Sequence, residues 1–593
     1  MEITVNSYEE EKVITRQWVE LKIENVTYCF LLSSIKPTLC LDKKVDFKIP
    51  FEEVEIDGNS YFVFTRNKNL FITNTLNRVW RRHTRLFCHL TKKNAYFFGK
   101  YSNLETRFPD SDKVFLEGKH VSDVKRPLNF WRFRNLGIIK VPLEEVNHTG
   151  EIHSTVTVGQ EPRFSLSLRL NKKHPGINYY SRKKVGNHYY IIRSTYSNTN
   201  IRIVNIPMSP EYTFVNRAKN FFAHMIYKIL GNNNSVLMFE KETNKAGESG
   251  YYVFEKIMSR KDSLKANVYF VIDKNSKDFE KVYSKYPNNT LIKYSFKHYL
   301  NIYRSKYFVS SELSNHVINP RLYIRSINEV IAEKPLVFLQ HGIMFAKPVD
   351  NPAAAGFRKS NKSINYYKSV ISSDLEATQF YKCGFEDEDL IKCGLPKFDV
   401  SYMNEDADKI LVMLTYRYWE EAFVMNPETI TQTTYYKTYM NLIEAFEKAG
   451  LLDKLLLSCH PKFAECIVSA APKYESIVEK DVNKALENSK IFITDYSSAS
   501  YDAHYRGAYV IYYWEERDYL IENYQAIPPV NEYNCDGVPI FSMDDLVKEV
   551  KHAIENNYEM DPMYHERYKK INEFDDNCNG DRLVDELIKL DII

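Results

Sequence analysis

Two histidines stand where an apolar strand pattern ends and the chain is set free. His341 and Gly342 follow directly on the run Leu336 to Leu339. A histidine released at the carboxyl end of a strand, next to a glycine that lets a substrate approach the backbone, suits a general base that takes a proton from a hydroxyl. Imidazole has a pKa near ~6.5, so its neutral, proton-accepting form at pH 7 needs little tuning. His460 and Pro461 follow Leu455 to Leu457 in the same way. A histidine there can hydrogen-bond a phosphate oxygen or protonate a leaving group. Either one taken alone is more often a structural histidine; the matching positions are what argue for a site.

Thr494-Asp495-Tyr496-Ser497-Ser498 continues from the strand pattern Lys490 to Ile493 and opens a helical stretch through Ala503. Hydroxyls and free N–H groups at a helix start attract an anion, helped by the helix dipole. Asp495 or Ser497 also serves as a plain N-cap, and both roles can hold together. Arg417, beyond Ile410 to Leu414, and Lys397, within Gly394-Leu395-Pro396-Lys397-Phe398-Asp399, are candidate phosphate partners at the same sheet edge, and either reads equally as a surface residue. Gly394 and Pro396 also mark a hinge. No G-x-G occurs, hence no dinucleotide fingerprint and no Walker loop. The acidic triplets Asp110-Ser111-Asp112 and Asp387-Glu388-Asp389 do not close an apolar strand. The nine cysteines are scattered without C-x-x-C or zinc spacing, so neither a disulfide nor a metal or other cofactor is expected.

The elements that must carry these residues fall into two regimes. Up to about residue 208, short runs alternate apolar and polar positions, as in Val19-Glu20-Leu21-Lys22-Ile23 and Phe164-Ser165-Leu166-Ser167-Leu168, with turns such as Asp57-Gly58-Asn59 between them. That is the pattern of antiparallel strands with one wet face, and it predicts a β-rich, sandwich-type domain of one or two subdomains. From Ser235 onward, apolar runs alternate with helical stretches, and after Asp399 the alternation starts again. Two successive parallel α/β units follow, over 209–400 and 401–593, with ligands expected beyond the carboxyl ends of their strands.

Bulk properties exclude little else. In 593 residues, 44% apolar and 26% charged with a net charge of +3, nothing calls for nucleic acid. Arg81, Arg82, His83 and Arg85, and later Lys172, Lys173, Arg182, Lys183 and Lys184, form local basic clusters that suit either a solvated face or an anionic surface. No run approaches the roughly 18 apolar residues of a membrane span, and the opening lacks a signal-peptide profile, so a cytoplasmic location is expected. Phe214, Ala218, Phe221, Met225 and Ile229 recur at helical spacing beside Arg217, Lys219 and Lys228. Such a stripe reads first as core packing and second as an interfacial helix on the inner face of a membrane.

Taken in order, Gln340-His341-Gly342, the hinge Gly394 to Asp399, Thr415-Tyr416-Arg417, Ser458-Cys459-His460-Pro461 and Ile493-Thr494-Asp495-Tyr496-Ser497-Ser498-Ala499-Ser500-Tyr501-Asp502 resemble the CDP-glycerol:poly(glycerophosphate) glycerophosphotransferase family. The resemblance covers roughly residues 235 to 590. It implies a metal-independent GT-B pair of Rossmann-like domains and transfer of glycerol phosphate or ribitol phosphate from a CDP-polyol donor. The acceptor it implies is a lipid-linked or polymeric anionic chain of teichoic-acid or capsule type. It also implies that His341 is the base and that His460, Ser497 and Ser498 hold the donor diphosphate. The sequence departs from the family pattern at Gln340, where the family has tryptophan, and at Ile343-Met344-Phe345-Ala346, which puts Lys347 one place late. It departs again at Lys397 and Ser458, where arginines are usual, and a lysine cannot make an arginine's two-pronged contact. Two other readings remain: a cytidine-nucleotide-sugar glycosyltransferase of sialyl or Kdo type, which would not need the His-Gly, and a non-catalytic polymer-binding scaffold.

Overall fold

The computed structural model describes residues 3–10, 16–32, 38–40, 45–49, 52–66, 69–74, 84–101, 113–125, 136–146, 154–159, 165–168, 170, 177, 179–194, 200–261, 264–351, 356–423, 427–459 and 461–593. Their contacts divide the chain into two compact units. One holds residues 1–221, 321–333 and 361–363; the other holds 222–320, 334–360 and 364–593.

The first unit is built from antiparallel strands. The alternation at Val19, Leu21 and Ile23 puts these side chains inside, while Lys22 faces out. They share a core with Ile56, Val63, Leu70 and Ile72, which belong to a separate four-stranded sheet. A second core joins Phe97, Ile139 and Val141 from one sheet to Val156, Val158, Ile192 and Ile203 from another. Each core is thus a sandwich between two sheets, formed because every second residue is apolar. Arg182 spreads over the rings of Tyr189 and Tyr212 instead of pointing to water. Arg81, Arg82, His83, Asp110 to Asp112, Lys172 and Lys173 lie outside the described residues, as does part of the run Phe164 to Leu168.

The second unit contains two parallel sheets. The first comprises β1 (Ser235–Phe239), β2 (Asn267–Ile272), β3 (Thr290–Ile292), β4 (Tyr307–Ser310), β5 (Pro335–Phe338), β6 (Asn365–Ile371) and β7 (Leu390–Lys392), in the order β3-β2-β1-β4-β5-β6-β7. The second comprises β8 (Lys409–Val412), β9 (Leu455–Leu457), β10 (Ser489–Thr494), β11 (Tyr509–Tyr513) and β12 (Val538–Ile540), in the order β9-β8-β10-β11-β12. β1 and β11 are buried along their whole length, which is why they read as unbroken apolar runs. The strand order reverses beside β1 and β4 in one sheet and beside β8 and β10 in the other. Chains leaving adjacent strands in opposite directions open a crevice at each of these points. The pair of Rossmann-like units expected from the sequence is present.

The hinge motif has a structural task. Asp399 accepts the backbone N–H groups of Asn579 and Gly580 at 2.9 and 2.7 Å, capping the helix Asn579–Lys589. Gly394 has φ +79°, and a side chain there would overlap Asn579. Leu583, Val584 and Leu587 of this helix enter the core around Val236, Val268 and Val337, so residues after 578 complete the first parallel sheet's core, not the second's. Cys383 and Cys393, each before a glycine, are buried free thiols. Among the described residues no helix is long and apolar enough to cross a membrane.

Candidate active site

The loops that leave β8 and β10 are tied together by Asp495. Its Oδ1 accepts the Thr415 N–H at 2.7 Å and the Thr415 hydroxyl at 2.6 Å, and Trp514 Nε1 donates to its carbonyl at 2.7 Å. Asp495 is buried, and its Oδ2 has no hydrogen-bond partner among the described residues. It braces the crevice from below. The turn after it is shaped by hydroxyls: Thr494 Oγ1 accepts the Ser497 N–H at 3.1 Å, and Ser497 Oγ accepts the Ala499 N–H at 3.3 Å. Ser498 occupies the N-cap of the helix Ala499–Tyr505 without making a side-chain capping bond. Ser497 and Ser498 are both half-buried.

Arg417 sits on the same edge but is fully enclosed. It lies 2.6 Å from Glu516 Oε2, donates to Thr434, and is only 1% exposed. Burial alone would lower its pKa; Glu516 and Glu420 reverse that and hold the guanidinium charged. Its charge is therefore already answered from within the fold.

His341 is exposed just beyond β5. The protein crowding around the ring is the largest influence on it and pushes its pKa below the ordinary histidine value. Glu312 opposes that shift, while Lys397 and Lys347 add to it. The residue before it, Gln340, adopts φ +60°, an uncommon backbone region for a non-glycine residue. Its amide donates to the Val370 carbonyl and to Glu376, and Glu376 also accepts the Met344 and Ser372 N–H groups at 2.6 Å. Burial pushes the Glu376 carboxyl up to about 7, against those three hydrogen bonds. Gln340 thus anchors the His341 loop from inside.

Two contacts join this loop to the second sheet. A Cβ on Gly342 would stand 3.0 Å from Ser498 Oγ. Lys397 Nζ donates to the His341 carbonyl at 2.8 Å and forms an ion pair with Asp502 on the helix Ala499–Tyr505. Burial would lower the Lys397 pKa, but Asp502 and then Glu248 outweigh it and raise it. Lys397 is a clasp between the two α/β halves. His460 lies outside the described residues; the two before it, Ser458 and Cys459, are buried at the end of β9.

Two groups escaped the reading of the sequence as site residues. Lys347 is exposed, has no ion-pair or hydrogen-bond partner among the described residues, and feels the Asp495 charge. Protein crowding around its ammonium, the largest influence, lowers its pKa. Glu312 follows β4 as His341 follows β5, a strand-end position that could have marked it. Among the described residues no three histidine, cysteine or carboxylate side chains gather as metal ligands.

Residues 221–589 match the model of the CDP-Glycerol:Poly(glycerophosphate) glycerophosphotransferase family. The chain belongs to this family. His341, Lys397, Arg417, His460, Asp495, Ser497 and Ser498 all lie within the matched segment. The chain is 24% identical over 397 residues to the minor teichoic acid biosynthesis protein GgaB of Bacillus subtilis (strain 168). That alignment covers 63% of this chain and 42% of GgaB, so the chain spans less than half of that relative's length. Among solved structures, the wall teichoic acid polymerase TagF aligns with 63% of the chain and 94% of its own, at 14% identity and a TM-score of 0.41. A TagF structure soaked with CDPG aligns at 15% identity and 0.40, over 64% of this chain and 98% of its own.

Proposed function

We propose that this member of the glycerophosphotransferase family transfers a polyol phosphate, glycerol phosphate or ribitol phosphate, from a CDP-linked donor. The acceptor is a hydroxyl on a teichoic-acid-like or capsular polymer, and CMP is released. The observation that carries the reading is the approach of the His341-Gly342 turn to Ser498. It brings a strand-end base from one sheet against a hydroxyl-rich turn from the other.

In this reading His341 takes the proton of the acceptor hydroxyl. The acceptor oxygen forms a bond to the β-phosphorus as the bond from that phosphorus to the CMP oxygen breaks, and CMP leaves with the electron pair. Ser497, Ser498 and the unpartnered cation Lys347 face the diphosphate, with His460 assigned to the same task. Asp495 keeps the crevice open, and Lys397 and Arg417 act from behind by holding the two halves and the β8 loop. Positioning and fixed charges supply most of the acceleration in phosphoryl transfer of this kind, and no metal is assigned a role. GgaB's role in minor teichoic acid biosynthesis agrees with such an acceptor.

We further propose that the protein works at the inner face of the cell membrane. The helix Phe214–Leu230 exposes Phe214, Val215, Phe221, Phe222, Met225 and Ile229, with Arg217 and Lys228 also exposed. Core packing, the first reading of this stripe, does not account for side chains that face water. An apolar face flanked by cations suits an anionic lipid surface.

The test is CMP release from CDP-glycerol, CDP-ribitol and CMP-sialic acid, with and without a prenyl-linked acceptor, and with EDTA. Acceptor-dependent CMP from one CDP-polyol, unchanged by EDTA, is the expected result. Turnover of the sialic acid donor alone would overturn it.

A further inference from the structure

The three-stranded sheet Thr84–Leu90, Asn94–Tyr101 and Leu136–Pro142 lies wholly within the first unit. Ala95, Phe97, Ile139 and Val141 turn one of its faces into the sandwich core. The residues between them lie on the opposite face, in rows set by the register. One row is Phe87, Phe98 and Ile138; the next, toward the hairpin, is His89, Tyr96 and Lys140. On the other side of the ring row, the backbone pairing sets Arg85, Lys100 and Leu136 in line.

The wet face of an antiparallel sheet ordinarily carries polar side chains. Here Phe87 is 69% exposed and Phe98 41%, with ring centroids 6.0 Å apart and planes 25° from parallel. Between residues 3 and 213, Val26 is the only other exposed large apolar side chain among the described residues. A cross-strand ring pair adds a little to sheet stability. That does not account for the charge around it. Residues 84–101 and 136–142 contain Arg85, Lys92, Lys93, Lys100 and Lys140 and no aspartate or glutamate, in a chain whose 80 basic residues nearly match its 77 acidic ones. Lys92, Lys93 and Lys140 are exposed and have no ion-pair partner among the described residues.

The occupant follows from this chemistry. Basic residues on both sides of a ring row call for a ligand with negative charges at intervals and C–H surface between them. The outer rows are four residues apart, about 13 Å along the strands, which suits an extended ligand and not a single small anion. Both phenylalanines stand mid-strand, where they form a flat track and no wedge to insert into a bilayer. A polyol-phosphate polymer has the matching form, with a phosphodiester in every repeat and a carbon backbone whose C–H groups can cover the rings. We propose that the outer face of this sheet binds such an anionic polymer, through Phe87, Phe98, Lys140 and the neighbouring cations. That the polymer is this enzyme's own acceptor or product rests on the reaction proposed above; the existence of the site does not. The site tethers a growing chain, so its loss is felt with long acceptors and not with short ones.

The test is fluorescence anisotropy of end-labelled, lipid-free poly(glycerol phosphate) and poly(ribitol phosphate) with the full chain. Phe87→Ala with Phe98→Ala weakens binding of one of them about tenfold, the scale of a lost ring stack. Lys140→Glu weakens it about fivefold at low salt and less at high salt. Lys184→Glu, the same charge change at an exposed position of another sheet, leaves it within about twofold. All three keep the wild-type Tm and the wild-type flotation with anionic liposomes, because the altered side chains are exposed. With a CDP-polyol, the double alanine variant raises the KM for a long polymeric acceptor while kcat, and turnover of a short primer, hold. No polymer binding by the wild type, or binding that the two alanines leave unchanged, would overturn the proposal. So would single-stranded DNA of equal charge bound more tightly through the same residues, or liposome flotation lost with them. If the polymer binds as stated and the wild type releases no CMP from any CDP-polyol, the site stands and the reaction falls. Acceptor-dependent CMP release from a wild type that does not bind the polymer does the reverse.

Discussion

A Cβ placed on Gly342 would meet Ser498 Oγ at 3.0 Å, so the glycine after the strand-end histidine is what allows the two sheets' loops to touch. Alanine at 342 displaces the Ser498 hydroxyl or the His341 backbone by a few tenths of an ångström. We expect Gly342→Ala to lower kcat/KM about tenfold with little change in Tm, because small misplacements at a reacting centre are costly. Steady-state kinetics beside a thermal melt checks this.

His341 is held below the ordinary histidine value and Glu312 opposes that shift. Activity should therefore rise through an acid limb below pH ~6.5 and stay level through pH 7. Glu312→Gln removes the opposing charge and moves the limb to lower pH. The same depression makes the unfolded chain the better proton acceptor. His298, pushed down to about 3, and His316, pushed down to about 4, act likewise. These three histidines contribute stability that is present above pH ~6.5 and is lost as pH falls toward their folded values. Kinetic pH profiles test the first statement, and urea melts at several pH values test the second.

Lys397 and Asp502 form a pair whose side chains are 14% and 7% exposed. Removing one partner strands a buried charge, a loss of about 3 kcal/mol or more. Lys397→Met should lower Tm and release the His341 carbonyl, reducing kcat as well. Since the Lys397 pKa is raised, its contribution persists at neutral pH and is lost only as pH climbs through a value above 10.5. Chemical denaturation of Lys397→Met and of the double variant with Asp502→Asn would show whether the loss belongs to the pair.

Arg417 with Glu516 separates support from donor contact. Glu516→Gln leaves a fully buried guanidinium with less compensation and should cost about 3 kcal/mol. Replacing both, Arg417→Met with Glu516→Leu, should recover most of that and keep donor affinity within about threefold. Calorimetric titration with CDP-glycerol decides, since a lost donor site would show as abolished binding in a folded protein.

For the helix Phe214–Leu230, Phe221→Glu with Ile229→Glu should abolish flotation with anionic liposomes without moving Tm, because both side chains are already exposed. Neutral liposomes should bind the wild type more weakly.

The residues proposed to do the chemistry were easier to read than those that hold them. His341 and Thr494 to Ser498 announce themselves because each follows an apolar run directly, and a parallel sheet puts strand ends on one edge. The partners of Lys397 and Arg417 are about a hundred residues away in sequence, at Asp502 and Glu516. Spacing carries no trace of such pairs, so both cations read as candidate phosphate partners or as surface residues. Lys347 shows the reverse: in sequence it reads only as a lysine one place late after the His-Gly, and its place near Asp495 gives it meaning. The β sandwiches were legible because period-two alternation survives in Val19 to Ile23, whereas the return of Leu583 and Leu587 to the first parallel core was not, as an amphipathic helix does not say which sheet it covers.

That return has a consequence for synthesis. Val236 and Val268 leave the ribosome long before Leu583, and at about 5–20 residues per second the interval is on the order of tens of seconds. Throughout it, the part of the first sheet's core that Leu583, Val584 and Leu587 complete stays open. The nascent chain thus presents a sticky intermediate for its whole later translation, a natural client for a ribosome-associated chaperone. Removing the helix Asn579–Lys589 would be felt in the half of the enzyme made first.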